Sequence, residues 1–260
     1  MELLARIFHD PLLLFPVSFL SLALSAWIGA RGFGRLRAVV AESGEDFRVI
    51  LGATLTLLGL LIGFTFAMAL DRYDQRKNYE EEEANAIGTE YVRVDVLPPA
   101  DAARVRALLR DYVEQRMQFY TAADEQALPK IRAATSRLQL ELWSAVQGPA
   151  AASPNPVTAL AVSGMNTVLN SQGYTQAAWR NRIPLAAWVL LFLCAVCSNL
   201  LVGIGMKRPK ESFIILMVLP LVVSVAIMLI ADIDSPRRGV IKVVPQNLLS
   251  LAESFRGTDR

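Results

Sequence analysis

Three side chains in the second apolar segment, Thr56, Leu60 and Phe64, recur every four residues and therefore share one face of a helix. Rings of leucine and phenylalanine around a shared axis would form a hydrophobic constriction for ions. The same spacing is also common in side chains that simply face lipid or a protein core. The residues alone leave both interpretations open.

Charged residues fill the segment 71–83, which follows directly. Pairs four residues apart, such as Arg76 with Glu80, are typical of a solvated helix stabilised by ion pairs. In a ring of several copies, the same side chains would instead form a charged vestibule that attracts ions. The candidates for this vestibule are Asp71, Arg72, Asp74, Arg76 and Glu80.

Two aspartates, Asp232 and Asp234, follow the fourth apolar segment and precede a proline turn. They are weak candidates for calcium ligands, because the further ligands of an EF-hand loop are missing. The alternative is a turn at the membrane exit in which the acids cap backbone amides or pair with Arg237 or Arg238. We expect no fixed metal site and no cofactor.

Enzymatic and nucleic-acid-binding functions lack support in the sequence. There is no Ser/His/Asp set, no phosphate-binding loop and no H-E-x-x-H motif, and His9 is the single histidine. The segment 71–182 carries 13 Lys and Arg against 14 Asp and Glu, without a basic stripe. We therefore expect neither an enzyme nor a nucleic-acid partner.

The elements that must position these residues are four uncharged segments in a chain that is 53% apolar. Each has the roughly 20 residues that a helix needs to cross a bilayer core about 30 Å thick. They predict an integral membrane protein in contact with the lipid bilayer. The predicted spans are residues 11–30, 49–70, 183–206 and 212–231.

The remaining chain reads as helical, which predicts an all-α protein. The expected organisation is a first transmembrane hairpin (1–70), a helical domain (71–182), a second hairpin (183–231) and a tail (232–260). Because no proline occurs between Gly63 and Leu97, the second span should continue as one rod to Pro98. Lys and Arg near the membrane are almost balanced between the two sides, so charge does not fix the orientation.

A second face of the same span carries small residues four apart: Gly59, Gly63 and Ala67. Small residues at this spacing let helix backbones approach closely within a bilayer. The apolar stripes of the helical domain also favour partners, in the same chain or in another copy. An oligomer is therefore expected, although its number does not follow from this pattern.

Several stretches resemble the bacterial bestrophin-like membrane protein family: 54–95, MNTVLNSQGYTQAAWRNRIP (165–184), LPLVVSVAIMLIADIDSPRRGVI (219–241) and VPQNL. There is also a distant resemblance to bestrophin ion channels, whose second span has a Gly-Phe followed, eight residues after the Phe, by an Arg-aromatic pair. Gly63-Phe64 and Arg72-Tyr73 keep that spacing. The resemblance implies a pore neck at Phe64, Leu60 and Thr56, although Thr56 is polar where bestrophins are usually apolar.

The resemblance further implies a homopentamer in a bacterial inner membrane, with both termini and residues 71–182 in the cytoplasm. Ile233, Pro236 and Gly239 resemble the bestrophin turn after the fourth span, but the rest of its calcium site is lacking. The resulting hypothesis is a channel that passes inorganic ions. The alternative is a non-conducting scaffold or sensor whose helical domain binds a protein partner.

Overall fold

A computed structural model describes residues 11–32, 44–122, 126–206 and 213–257. These ranges contain α-helices and one 3₁₀ turn (Val94–Val96) but no strand, so the predicted all-α fold is confirmed. The helices are α1 (Pro11–Gly32), α2 (Gly44–Arg93), α3 (Pro99–Thr121), α4 (Leu128–Ala152), α5 (Pro156–Arg180), α6 (Leu185–Gly205), α7 (Phe213–Asp234) and α8 (Gln246–Gly257).

Four helical segments are long and apolar enough to cross a membrane: Pro11–Gly32, Gly44–Val96, Pro156–Gly205 and Phe213–Asp234. They contain the predicted spans 11–30 and 49–70, and they match the predicted spans 183–206 and 212–231 to within one residue at one end. The chain divides into a membrane unit, Met1–Arg72 with Arg182–Lys242, and a helical unit, Tyr73–Asn181 with Val243–Arg260. The protein is therefore a multi-pass membrane protein with a second, helical unit.

The second span is part of one uninterrupted helix of 50 residues, as the lack of proline predicted. The helix ends at Arg93, and a 3₁₀ turn leads to Pro98 and Pro99. Proline lacks the amide proton that a helix interior needs, so the rod stops here and α3 begins with Pro99 in its first turn.

The fourth helix runs through a Gly-Pro pair. Such a pair often ends a helix, but α4 continues past Gly148 and Pro149 to Ala152, and the Ser153 amide donates to the Pro149 carbonyl. A proline near a helix end costs few backbone bonds, and the alanines that follow favour helix. The break comes at Asn155, whose side chain accepts hydrogen bonds from the first amides of α5.

In the membrane unit, α1 and α6 pack so closely that their backbones are in contact. A Cβ atom at Gly29 would lie 2.2 Å from the Leu200 carbonyl oxygen, and one at Gly203 would lie 2.1 Å from that of Ala26. The Ser25 hydroxyl donates to the Val196 carbonyl at 2.8 Å across the same pair. Glycine permits this contact where lipid supplies no hydrophobic drive between helices.

The helical unit has an apolar core of its own. Its fully buried side chains come from α2, α3, α4, α5 and α8 and include Ile87, Leu109, Leu142, Met165 and Leu248. The rings of Tyr91 and Phe255 stack at 4.0 Å between centroids. The segment from Val243 to Gly257 therefore belongs to this unit.

Candidate functional site

The membrane-spanning part of α2 is buried on one narrow side only. In its most apolar stretch 11% of the residues are buried, against 33% in α1 and in α7. The buried side chains are Leu58, Thr65 and Ala69, whose spacings of seven and four place them on one face. The rest of this surface is open to lipid or to other chains.

The three candidate neck residues lie on the opposite side of this helix. At about 100° per residue, Thr56, Leu60 and Phe64 point roughly 120° to 160° away from Leu58. All three are exposed, Leu60 at 51% and Phe64 at 65%. Nothing else in the described chain covers this face, so it is available to a shared axis.

The polarity of Thr56 is partly masked. Its hydroxyl donates to the Gly52 carbonyl at 2.9 Å, one turn earlier in the same helix. Threonines in membrane-spanning helices commonly satisfy their hydroxyl proton in this way. The hydroxyl proton of Thr56 is therefore satisfied within its own helix, which reduces the polarity of this side chain beside Leu60 and Phe64.

The small-residue face meets nothing within the described chain. A Cβ atom at Gly59 or at Gly63 would have no other atom within 4 Å, and Ala67 is exposed. The close helix packing inside the membrane unit uses Gly29 and Gly203 instead. Packing through Gly59, Gly63 and Ala67 stays a prediction for contacts between copies.

The five candidate vestibule residues separate into two groups. Asp71 and Asp74 are exposed, whereas Arg72 is largely buried and its guanidinium lies 3.7 Å from the Asp234 carboxylate. Arg72 is therefore neutralised by a carboxylate within the membrane unit, while the two aspartates remain open to solvent.

Arg76 and Glu80 lie in the interior of the helical unit. The Arg76 guanidinium donates to the carbonyls of Ala178 and Asn181 at the end of α5. The Glu80 carboxylate accepts the Leu248 amide at 2.9 Å and the Asn247 side chain at 2.7 Å, at the start of α8. Each charge thus meets a helix end of complementary polarity. Because both side chains are buried, they do not line a vestibule.

A buried ionic cluster next to these residues was missed by the sequence analysis. The Glu83 carboxylate accepts from the Arg116 guanidinium, from the Tyr120 hydroxyl at 3.1 Å and from the Thr175 hydroxyl at 3.1 Å. Glu83 and Arg116 are almost fully buried. Burial, reinforced by the charge of Glu83, raises the pKa of Tyr120 above its ordinary value. The cluster joins α2, α3 and α5.

The two aspartates after the fourth span organise a turn. Asp232 accepts the amides of Val240 and Ile241, each at 2.8 Å, and Gly239 has a φ of +131° that favours glycine. A Cβ atom there would meet the Asp232 carboxylate. This is the backbone-capping alternative that the sequence offered.

Asp234 is held on two sides. Its carboxylate accepts the Ile183 amide at 3.1 Å and pairs with Arg72. Within the described ranges, no three His, Cys, Asp or Glu side chains come together as metal ligands.

Glu90 is a titratable group in the interior of the helical unit. One carboxylate oxygen lies 3.4 Å from the Arg93 guanidinium, and the other has no hydrogen-bond partner in the described chain. Gly164 of α5 leaves the necessary space, since a Cβ atom there would lie 1.9 Å from the Glu90 carboxylate. Burial raises the pKa of Glu90 to about 7, and Arg93 offsets part of that rise.

Stability should consequently fall with rising pH. The unfolded chain loses the Glu90 proton near its ordinary pKa of 4.5, and the folded chain keeps it up to about 7. Above that pH the buried charge costs about 2 kcal/mol after allowance for solvent screening. Glu90→Gln should remove this component from the pH dependence of thermal unfolding, measured against wild type. If the unfolding temperatures of the two proteins changed in parallel between about pH 5 and about pH 8, Glu90 would not be the source of this pH dependence.

Comparison with known proteins points to one family. The sequence model of the family described as "Bestrophin-like domain" matches residues 21–248. The fold is similar to the crystal structure of a bacterial bestrophin homologue from Klebsiella pneumoniae, with a TM-score of 0.62 and 15% identity over 93% of this chain and 98% of that chain. No curated protein sequence matches significantly.

Two variants of that Klebsiella pneumoniae homologue are equally similar. One has a tryptophan replaced by alanine, with a TM-score of 0.63 and 15% identity over 92% of this chain and 97% of that chain. The other has an isoleucine replaced by threonine, with a TM-score of 0.63 and 14% identity over 94% and 98%. At such low identity the likeness is one of fold.

Proposed function

This chain belongs to the bestrophin-like domain family, and on that premise we propose that it forms an ion channel whose pore is lined by α2. The observation that carries the proposal is the exposed face of Thr56, Leu60 and Phe64, opposite to the side on which α2 packs within its own chain. An apolar face of this kind on a membrane-spanning helix suits a constriction shared by several copies.

A homopentamer in a bacterial inner membrane is the assembly that the bestrophin resemblance implies. The low burial of α2 supports a shared axis, because most of this span meets no other part of the described chain. Gly59 and Gly63 would then give neighbouring copies a surface for close approach. Both termini and the helical unit would face the cytoplasm in this arrangement.

The charges beyond the neck favour cations. On the continuous α2 helix, Asp71 follows Phe64 by seven residues and so shares its face, with Asp74 close by. Both are exposed, as are Glu81 and Glu82 further along. Of the competing cations, Arg72 is paired and Arg76 is buried, while Lys77 remains exposed. Rings of carboxylates at a pore mouth attract cations.

The test is a planar-bilayer recording of the purified protein under a potassium chloride gradient. We expect a current whose reversal potential is shifted from zero toward the equilibrium potential of potassium. Asp71→Asn with Asp74→Asn should move that potential toward zero, whereas Glu141→Gln, which removes an exposed carboxylate from α4 rather than from α2, should leave it unchanged. A reversal potential shifted toward the equilibrium potential of chloride would contradict the cation preference. A silent protein would contradict conduction and favour a scaffold or sensor.

A further inference from the structure

Two adjoining clefts lie in the membrane unit, away from the neck face of α2. The larger has a volume of about 390 Å³ and the smaller about 160 Å³. Leu14 of α1, with Leu185 and Trp188 of α6, lines both clefts, so they form one continuous depression. The larger part alone has the size of an ordinary ligand site.

The larger cleft is apolar. Its walls come from α1, α6 and α7 and include Val17, Leu191, Phe192 and Ile227. Its polar groups are the Ser18 hydroxyl, which donates to the Phe15 carbonyl of its own helix at 3.0 Å, and the indole N–H of Trp188 at the junction with the smaller cleft. Away from that junction no polar group in the lining requires a polar ligand, and hydrocarbon is the matching occupant.

The smaller cleft has charged and polar side chains beside apolar ones in its lining, and it carries an available positive charge. Arg182, Asp234 and Ser235 are among its lining residues. Asp234 is already engaged by Arg72 and by the Ile183 amide. Arg182 is half-buried and forms no ion pair within the part of the chain that the structure describes. An anionic group placed here would find a guanidinium as its partner.

Trp188 lies where the two parts meet, in the first turn of α6. Tryptophan and arginine are enriched where a membrane-spanning helix reaches the lipid headgroups. The order along the depression is thus cation, tryptophan and apolar cleft, which matches the order phosphate, glycerol region and acyl chain in a phospholipid.

We propose that this depression binds one anionic phospholipid per chain, with an acyl chain in the apolar cleft and the phosphate at Arg182. A lipid is the favoured occupant because α1, α6 and α7 are membrane-spanning helices, so their open surfaces meet hydrocarbon. The charge at one end selects an anionic headgroup. None of the neck residues lines the depression, so the site is separate from the proposed ion path.

Lipid retention by the wild-type protein tests the proposal without any variant. The full chain is reconstituted with equal amounts of phosphatidylglycerol and phosphatidylcholine, extracted, washed with detergent and analysed by native mass spectrometry. We expect about fivefold more phosphatidylglycerol than phosphatidylcholine to remain, as one basic residue at the headgroup level provides. Equal retention of the two lipids would overturn the proposal.

Two matched pairs of variants locate the site. Arg182→Gln should abolish the headgroup preference, whereas Arg180→Gln should keep it. Val189→Trp fills the cleft and should remove about one bound lipid per chain, whereas Leu190→Trp should not, although the two side chains are similarly exposed, at 56% and 51%. Equal effects within either pair would place the lipid elsewhere.

A second copy of the chain is the competing occupant. If Val189→Cys cross-links to a neighbouring copy in the bilayer, protein covers the cleft, and this would overturn lipid binding there. Failure to cross-link, together with the phosphatidylglycerol preference, supports the lipid site. Either outcome is independent of whether the protein conducts ions.

Discussion

Replacing Leu60 and Phe64 together by alanine should raise the single-channel conductance several-fold. In a ring of copies these side chains narrow the path at two levels, and each truncation removes a large apolar group from the axis. The smaller alanine side chains widen the constriction, so that water fills it more readily. Single-channel recording in planar bilayers measures the change directly.

The matched control lies on the same helix. Phe66 and Leu70 are also four residues apart, with exposures of 40% and 43%, but they point about 100° away from the neck face. Phe66→Ala with Leu70→Ala should leave the conductance unchanged. Equal increases of conductance in the two double variants would show that the neck face does not differ from the rest of the helix. An unchanged conductance of the Leu60→Ala, Phe64→Ala variant would contradict a constriction at these residues.

Breaking the ionic cluster of the helical unit should have the largest effect on stability. Arg116→Met leaves the Glu83 carboxylate buried with only the Tyr120 and Thr175 hydroxyls as partners. Removing one partner of a buried pair costs about 3–5 kcal/mol. The fluorescence of Trp179, which packs on Phe119 and Tyr120, reports the unfolding of this unit.

The paired replacement separates charge from packing. Arg116→Met combined with Glu83→Leu removes both charges and should recover much of the lost stability, because no isolated charge remains buried. The exposed pair Arg137 and Glu141 provides a control, since Arg137→Met should cost less than about 1 kcal/mol. A similarly small cost for Arg116→Met alone would contradict the burial of the cluster.

Much of the fold could be predicted because bilayer constraints are local in sequence. Four uncharged segments of sufficient length determine the spans, and the absence of proline after Gly63 determines the long α2 rod. The exposed Thr56, Leu60 and Phe64 face also follows from a simple period of four. None of these inferences requires knowledge of a distant contact.

The interior charges could not be predicted in the same way. Arg76, Glu80 and Glu83 stand in a strongly charged run that is typical of a solvated helix, yet their partners come from α3, α5 and α8, far away in the sequence. One signal was present: Arg116 falls within the apolar stripe of α3, four residues from both Tyr112 and Tyr120. A charge in such a stripe indicates a buried partner.

The crossing of α1 and α6 was missed for a related reason. Gly29 and Gly203 matter only because each faces the backbone of the other helix, and no pattern within one segment shows that. By contrast, Gly59 and Gly63 have the more visible spacing but meet no other helix among the described residues. Small-residue spacing predicts a close approach without saying which helix approaches.

Thiol modification during recording tests the pore-lining role of α2 most directly. In a background in which Cys194 and Cys197 are alanine, Thr56→Cys, Leu60→Cys and Phe64→Cys are compared with Phe66→Cys. A cationic methanethiosulfonate reacts with thiolates that water reaches. The account predicts that it reduces the current at positions 56, 60 and 64 and leaves position 66 unaffected. Reduction at position 66 without reduction at position 60 would contradict a pore lined by this face.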